Sequence, residues 1–199
     1  MDKPNPLLNS LDNLPFDQVR AGDVRPTLDT LIGDARRRIA AISTTEDPRT
    51  FQNTMAALDT ATEDLDLAVS IVRHLEAVAT TPELRQAWNE TQPQVIQFYS
   101  SIPLDSGLWQ AIKAFAGTGE AAALTGVRHR FLDKTIESFR RHGADLSVDE
   151  KRQLESIDIE LAEVTTTFAQ NVLDATTAWE YVISDEAQLA GLPESAIAA

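Results

Sequence analysis

The sequence contains no cysteine, which excludes disulfides and thiolate metal ligands. Basic residues are scarce: 17 Lys plus Arg stand against 31 Asp plus Glu, a formal charge of −14. Nucleic acid needs a basic face for its phosphates and an anionic membrane surface needs the same, so neither fits this composition. Acidity of this size favours solubility and, among partners, basic ones. No apolar run reaches the about 18 residues of a membrane-spanning helix. Residues 1–14 hold Pro4, Pro6, Asp2 and Asp12, and lack the basic start and unbroken apolar run of a signal peptide. The expected location is the cytoplasm.

Catalytic signatures are missing too. The histidines are His74, His129 and His142. None lies in His-Glu-x-x-His, and no two share the i, i+4 spacing that puts two ligands on one helix face. Each reads as a packing or surface residue, and His142, beside Gly143, as a cation at a helix end. No serine sits in Gly-x-Ser-x-Gly. Gly117-Thr118-Gly119-Glu120 opens a helix but lacks the Lys-Ser/Thr ending of a phosphate loop, and no βαβ unit surrounds it. Arg36, Arg37 and Arg38 are consecutive, so on a helix they point in different directions and do not form one anion clamp. Glu63, Asp64 and Asp66 read as a solvated face. The residues themselves therefore nominate no catalytic, cofactor-binding or metal-binding position.

What is present is helical periodicity. A 199-residue chain that is 43% hydrophobic and 24% charged can bury a substantial core. After an arm over residues 1–22, broken by Pro4, Pro6 and Pro15 and able to pin itself through Leu7, Leu8, Leu14 and Phe16, the pattern predicts a bundle of about six main helices. The first runs over 23–42 with Leu28, Leu31, Ile32, Ala35, Ile39 and Ile42 inward. The second covers 50–78 on Met55, Leu58, Thr62, Leu65, Val69, Val72, Leu75 and Val78. Thr81-Pro82-Glu83 starts the third, with Thr as cap and Pro at the first helical position. It uses Leu84, Trp88, Val95, Phe98 and Ile102, kinks at Pro93 and stops at Pro103. Asp105 or Ser106 caps a short fourth bearing Leu108, Ile112 and Phe115. The fifth spans 120–141 on Leu124, Val127, Phe131, Ile136 and Phe139, with Gly143 as a left-handed C-cap. The longest runs over 147–177. Ser147 and Glu150 have capping-box spacing, and Leu154, Ile157, Leu161, Val164, Phe168 and Val172 form one stripe that upstream helices are expected to bury. Trp179, Tyr181 and Ile183 alternate as in a short strand or extended segment. Residues 193–199 begin another helix, so the chain reads as cut short. No exact solenoid repeat is visible.

Several stretches together resemble the thimet oligopeptidase family of zinc metallopeptidases. They are Asn5-Pro6-Leu7-Leu8, Leu14-Pro15-Phe16-Asp17 with Val24-Arg25-Pro26, and Pro48-Arg49-Thr50-Phe51-Gln52-Asn53-Thr54. Residues 70–77 with Thr81-Pro82-Glu83-Leu84-Arg85 follow, then Phe139-Arg140 with Gly143-Ala144-Asp145-Leu146. The most specific is Leu161-Ala162-Glu163 through Phe168-Ala169-Gln170-Asn171-Val172-Leu173-Asp174-Ala175-Thr176, continuing into Ile183-Ser184-Asp185 and Leu189-Ala190-Gly191-Leu192-Pro193.

The resemblance covers essentially the whole chain, in order. It implies the N-terminal domain of an oligopeptidase: residues 23–177 as one helical wall of a deep channel for short peptides, and 178–199 as the start of the connection to a catalytic domain. That domain would carry zinc on His-Glu-x-x-His plus a further glutamate. Zinc lowers the pKa of water and polarises the scissile carbonyl. No position here matches those residues, so the parent would be the enzyme and the fragment inactive. Its partners would be its own catalytic domain, peptides, or a second copy met through an exposed apolar face. The alternative is a free-standing helical binding or scaffold protein that lacks the catalytic half.

Overall fold

A computed structural model describes residues 5–8 and 16–197. Pro4, Leu14 and Pro15 of the expected arm lie outside the described residues. The chain divides into two compact units, Met1–Glu163 and Val164–Ala199, and the described residues are all-α, with no strand.

In the first unit α1 (Ala21–Thr44) is the central element, packing on the helices that follow it. It begins two residues earlier than expected because the Asp23 carboxylate accepts the Arg20 N–H at 2.8 Å, drawing the first turn back. Val24, Leu28, Ile32, Ala35, Ile39 and Ile42 are buried along it. Its one fully buried hydroxyl is satisfied: Thr27 donates to the Asp23 carbonyl at 2.7 Å and accepts the Asn5 amide at 2.7 Å. That amide and buried Leu7 tie the described part of the arm to α1, whereas Leu8 and Phe16 stay half-exposed.

The expected second helix is three pieces. A π-helical turn covers Phe51–Ala56, then α2 (Ala57–Thr60) and α3 (Glu63–Val78) follow. Thr50 and Asn53 form a reciprocal cap at its start. The π turn carries an extra residue, so no single 3.6-residue stripe continues through it. The chain bends at Ala61 and Thr62, and Val78 at the far end is exposed.

α4 (Pro82–Leu104) runs through both Pro93 and Pro103 before ending at Asp105, so Pro103 is not the stop. Asp105 then caps α5 (Ser106–Ala116), accepting the Leu108 N–H at 2.7 Å. The expected fifth helix also divides, into α6 (Gly119–Ala122) and α7 (Gly126–Arg141). The break falls where Gly126 takes a φ of +58°, a left-handed conformation no α-helix continues through. Val127 is consequently turned to solvent and Leu132 buried.

α7 closes in a Schellman motif: the Ala144 N–H reaches the Phe139 carbonyl at 3.0 Å and the Gly143 N–H that of Arg140 at 3.1 Å, with Gly143 at φ +90°. The innermost side chains, Leu28, Met55, Leu65, Val72, Phe98, Leu108, Ile112 and Phe115, come from α1, the π turn, α3, α4 and α5.

α8 (Val148–Ala178) departs most from expectation. It forms over its full predicted length, yet none of its described residues is buried. Ile157 and Leu161 in the first unit are exposed, and so are Val164, Phe168 and Val172 in the second. Leu154, at the start of the stripe, is half-buried.

The second unit continues with irregular backbone over 179–185, a 3₁₀ turn at Glu186–Leu189, and α9 (Glu194–Ile197). The alternating stretch pairs with no strand among the described residues, because a strand exists only by hydrogen bonding to another.

Candidate functional site

The positions singled out from sequence are dispersed by the fold. Arg36 lies over the Phe98 ring at 5.9 Å, Arg37 pairs with Asp34, and Arg38 pairs with Asp64 at 2.8 Å. Each guanidinium thus has its own structural contact, and no shared anion clamp forms. His142 at the end of α7 lies 2.7 Å through Nδ1 from the Ser138 carbonyl, His129 faces Asp133 at 3.0 Å, and His74 meets the edge of Phe16. Among the described residues no three His, Asp or Glu side chains converge as a metal site. Thr118 of the glycine-bracketed turn caps the four-residue α6, and Glu120 accepts the Phe51 N–H at 3.1 Å. That turn joins two elements of the core.

Three surface features could instead meet a partner or ligand. One is an acidic hollow of 470 Å³ lined by Asp59, Thr60, Glu63, Asp66, Leu67 and Ser70. Asp66 accepts hydrogen bonds from the Thr62 and Tyr99 hydroxyls. Partial burial pushes the Tyr99 phenol far up, and the hydrogen bond to Asp66 and that residue's charge push the same way. A second is a groove of 630 Å³ around the N-terminus of α4, formed by Thr80 to Pro82 with Arg85, Gln86, Asn89 and Glu90. Its helix end is already capped by Thr81, which accepts the Leu84 N–H at 3.2 Å.

The third feature is apolar. In the second unit Phe168 is 69% exposed, Trp179 71% and Val182 79%. The Trp179 and Tyr181 rings stack on each other at 6.3 Å with planes 7° apart. Sequence periodicity located the stripe but not the exposure of these side chains.

The comparisons with known proteins agree with a part of something larger. The family profile of the Neurolysin/Thimet oligopeptidase N-terminal domain matches residues 28–152. "Oligopeptidase A" of Haemophilus influenzae is 33% identical over 200 residues, covering 100% of this chain and 29% of that protein. In Arabidopsis thaliana, "Probable cytosolic oligopeptidase A" is 31% identical over 97% of this chain and 27% of the protein. "Organellar oligopeptidase A, chloroplastic/mitochondrial" from the same plant is 30% identical over 97% and 24%. The chain thus spans less than a third of the length of these curated relatives. With most of its length matched by the family profile, this chain belongs to the neurolysin/thimet oligopeptidase family and carries its N-terminal domain.

Proposed function

We propose that this chain is the N-terminal helical domain of a cytoplasmic zinc oligopeptidase that hydrolyses short peptides, and that it forms one wall of the substrate channel. The carrying observation is the in-order match of the whole chain to less than a third of each oligopeptidase A relative. The uncovered apolar positions of the second unit support it, since a free-standing domain rarely leaves so many bulky side chains wet.

Zinc does not fit the residues present, for the described His, Asp and Glu side chains form no ligand set. On this reading zinc would be held by the rest of the parent. The contribution of this chain is shape and charge. A rigid helical wall limits substrate girth, and the acidic hollow at Asp59, Glu63 and Asp66 favours peptides carrying Lys or Arg. No described helix is long and apolar enough to cross a membrane, which is compatible with the cytoplasmic assignment.

Reading the source gene beyond the codon for Ala199 tests the proposal. A frame that continues into His-Glu-x-x-His, with peptide hydrolysis by its full-length product, is the expected result. A stop codon there would overturn the reading in favour of an independent helical binding protein.

A further inference from the structure

We infer that the second unit is an attachment element: residues 179–184 enter a β-sheet as a strand, while the α8 face bearing Val164, Phe168 and Val172 is covered by the same partner, the remainder of the full-length polypeptide. The inference rests on the proposed function and adds how the domain is joined to the rest.

Four observations carry it. No described residue of the second unit is buried, so it has no core of its own to hold 36 residues (Val164–Ala199) together. The backbone N–H and C=O groups of residues 180–184 make no backbone hydrogen bond among the described residues, although Tyr181, Val182 and Ile183, like Trp179 before them, are strand-forming types. The segment contains neither Pro nor Gly, so every residue can donate to a ladder. Trp179 and Tyr181 already lie on one side with their rings stacked, the i, i+2 relation of a strand face.

Charge and size select the occupant. A second copy would bring another −14 charge against a unit that carries Asp174 and Glu180, and like charges repel. The surface that fits is apolar with a Lys and Arg rim and offers a free strand edge. More than two-thirds of each relative lies outside the matched region, which is ample chain to supply such a sheet.

Amide hydrogen exchange, measured on the 199-residue chain and on the full-length product of the gene, tests this. Pairing on one side protects every second amide of a strand. At least every second amide over 180–184 is therefore expected to exchange about a hundredfold more slowly in the full-length protein. Phe168→Asp in the full-length protein should remove that protection while leaving α1 protected. Equal rates in the two proteins overturn the inference, and so does protection that Phe168→Asp leaves intact. Protection arising in the 199-residue chain as its concentration is raised identifies a second copy and overturns it as well. Peptide hydrolysis by the same full-length sample separates the two readings. Hydrolysis with unprotected amides overturns the attachment alone, and protected amides without hydrolysis overturn the proposed function alone. A frame closing at Ala199 removes the partner and overturns both.

Discussion

Replacing Gly143 by alanine tests the junction between α7 and α8. Two costs add. The φ of +90° lies in the left-handed region, where a Cβ costs about 1–2 kcal/mol. The added methyl would also stand 2.7 Å from Leu146 Cδ1 and 2.8 Å from Leu154 Cδ2. Both are ends of flexible side chains, so they can move, at about 1 kcal/mol for displaced rotamers and lost packing. The sum is about 2–3 kcal/mol, a fall of roughly 4–12 °C in Tm for a chain of this size.

Gly126→Ala is the internal control. Its φ of +58° is also left-handed, but nothing lies within 4 Å of the added Cβ, so only the backbone cost of about 1 kcal/mol applies. Thermal unfolding followed by far-ultraviolet circular dichroism measures both. Equal shifts for the two variants would refute the close-approach argument. A Gly143→Ala protein within about 0.5 kcal/mol of the parent would refute the Schellman argument too.

Gly33→Ala should stabilise, because it lies inside α1 with only ordinary contact, 3.6 Å to Arg37 Nη1; a gain of about 0.5–1 kcal/mol in denaturant melts is expected, and a loss would contradict it. Phe115→Ala should destabilise by about 3–5 kcal/mol, since this fully buried ring also meets Phe51 edge-on at 6.3 Å; chemical denaturation reads it. The Tyr99 pKa is raised in the folded state, so its contribution is complete below the unfolded value of about 10 and is lost as pH rises above it. Tyr99→Phe should therefore move alkaline unfolding to higher pH, and an unchanged midpoint would refute the assignment. On the proposed function, the full-length product should cleave Lys-rich peptides faster than Glu-rich ones at low salt, with the difference shrinking at high salt; equal rates at both would eliminate the acidic hollow as a selector.

Local order was legible wherever a cap or a period carried it. Thr81-Pro82, Asp105 and Gly143 mark helix ends in the structure as they do in the sequence, because capping is settled within a few residues. Segments that break inside a continuous apolar pattern were not legible. The π turn at Phe51–Ala56 and the left-handed Gly126 interrupt helices whose apolar spacing alone predicts one piece. The edge-on packing of Phe115 and Phe131 against Phe51 brings together distant parts of the chain. The candidate recognition surface was half legible: the stripe on α8 was visible, its exposure was not.

The amino-acid sequence by itself determined that this chain is helical and acidic, and it carries the ordered motifs of the oligopeptidase family. These follow from side-chain spacing, charge count and residue identity, all of which are one-dimensional. Only the tertiary structure decided which apolar stripes meet. α1, α3, α4 and α5 satisfy one another around Phe98, Leu108 and Phe115, while Ile157, Leu161, Val164, Phe168 and Val172 of α8 stay exposed. Periodicity says that a face needs cover, but which surface covers it depends on packing between segments far apart in sequence.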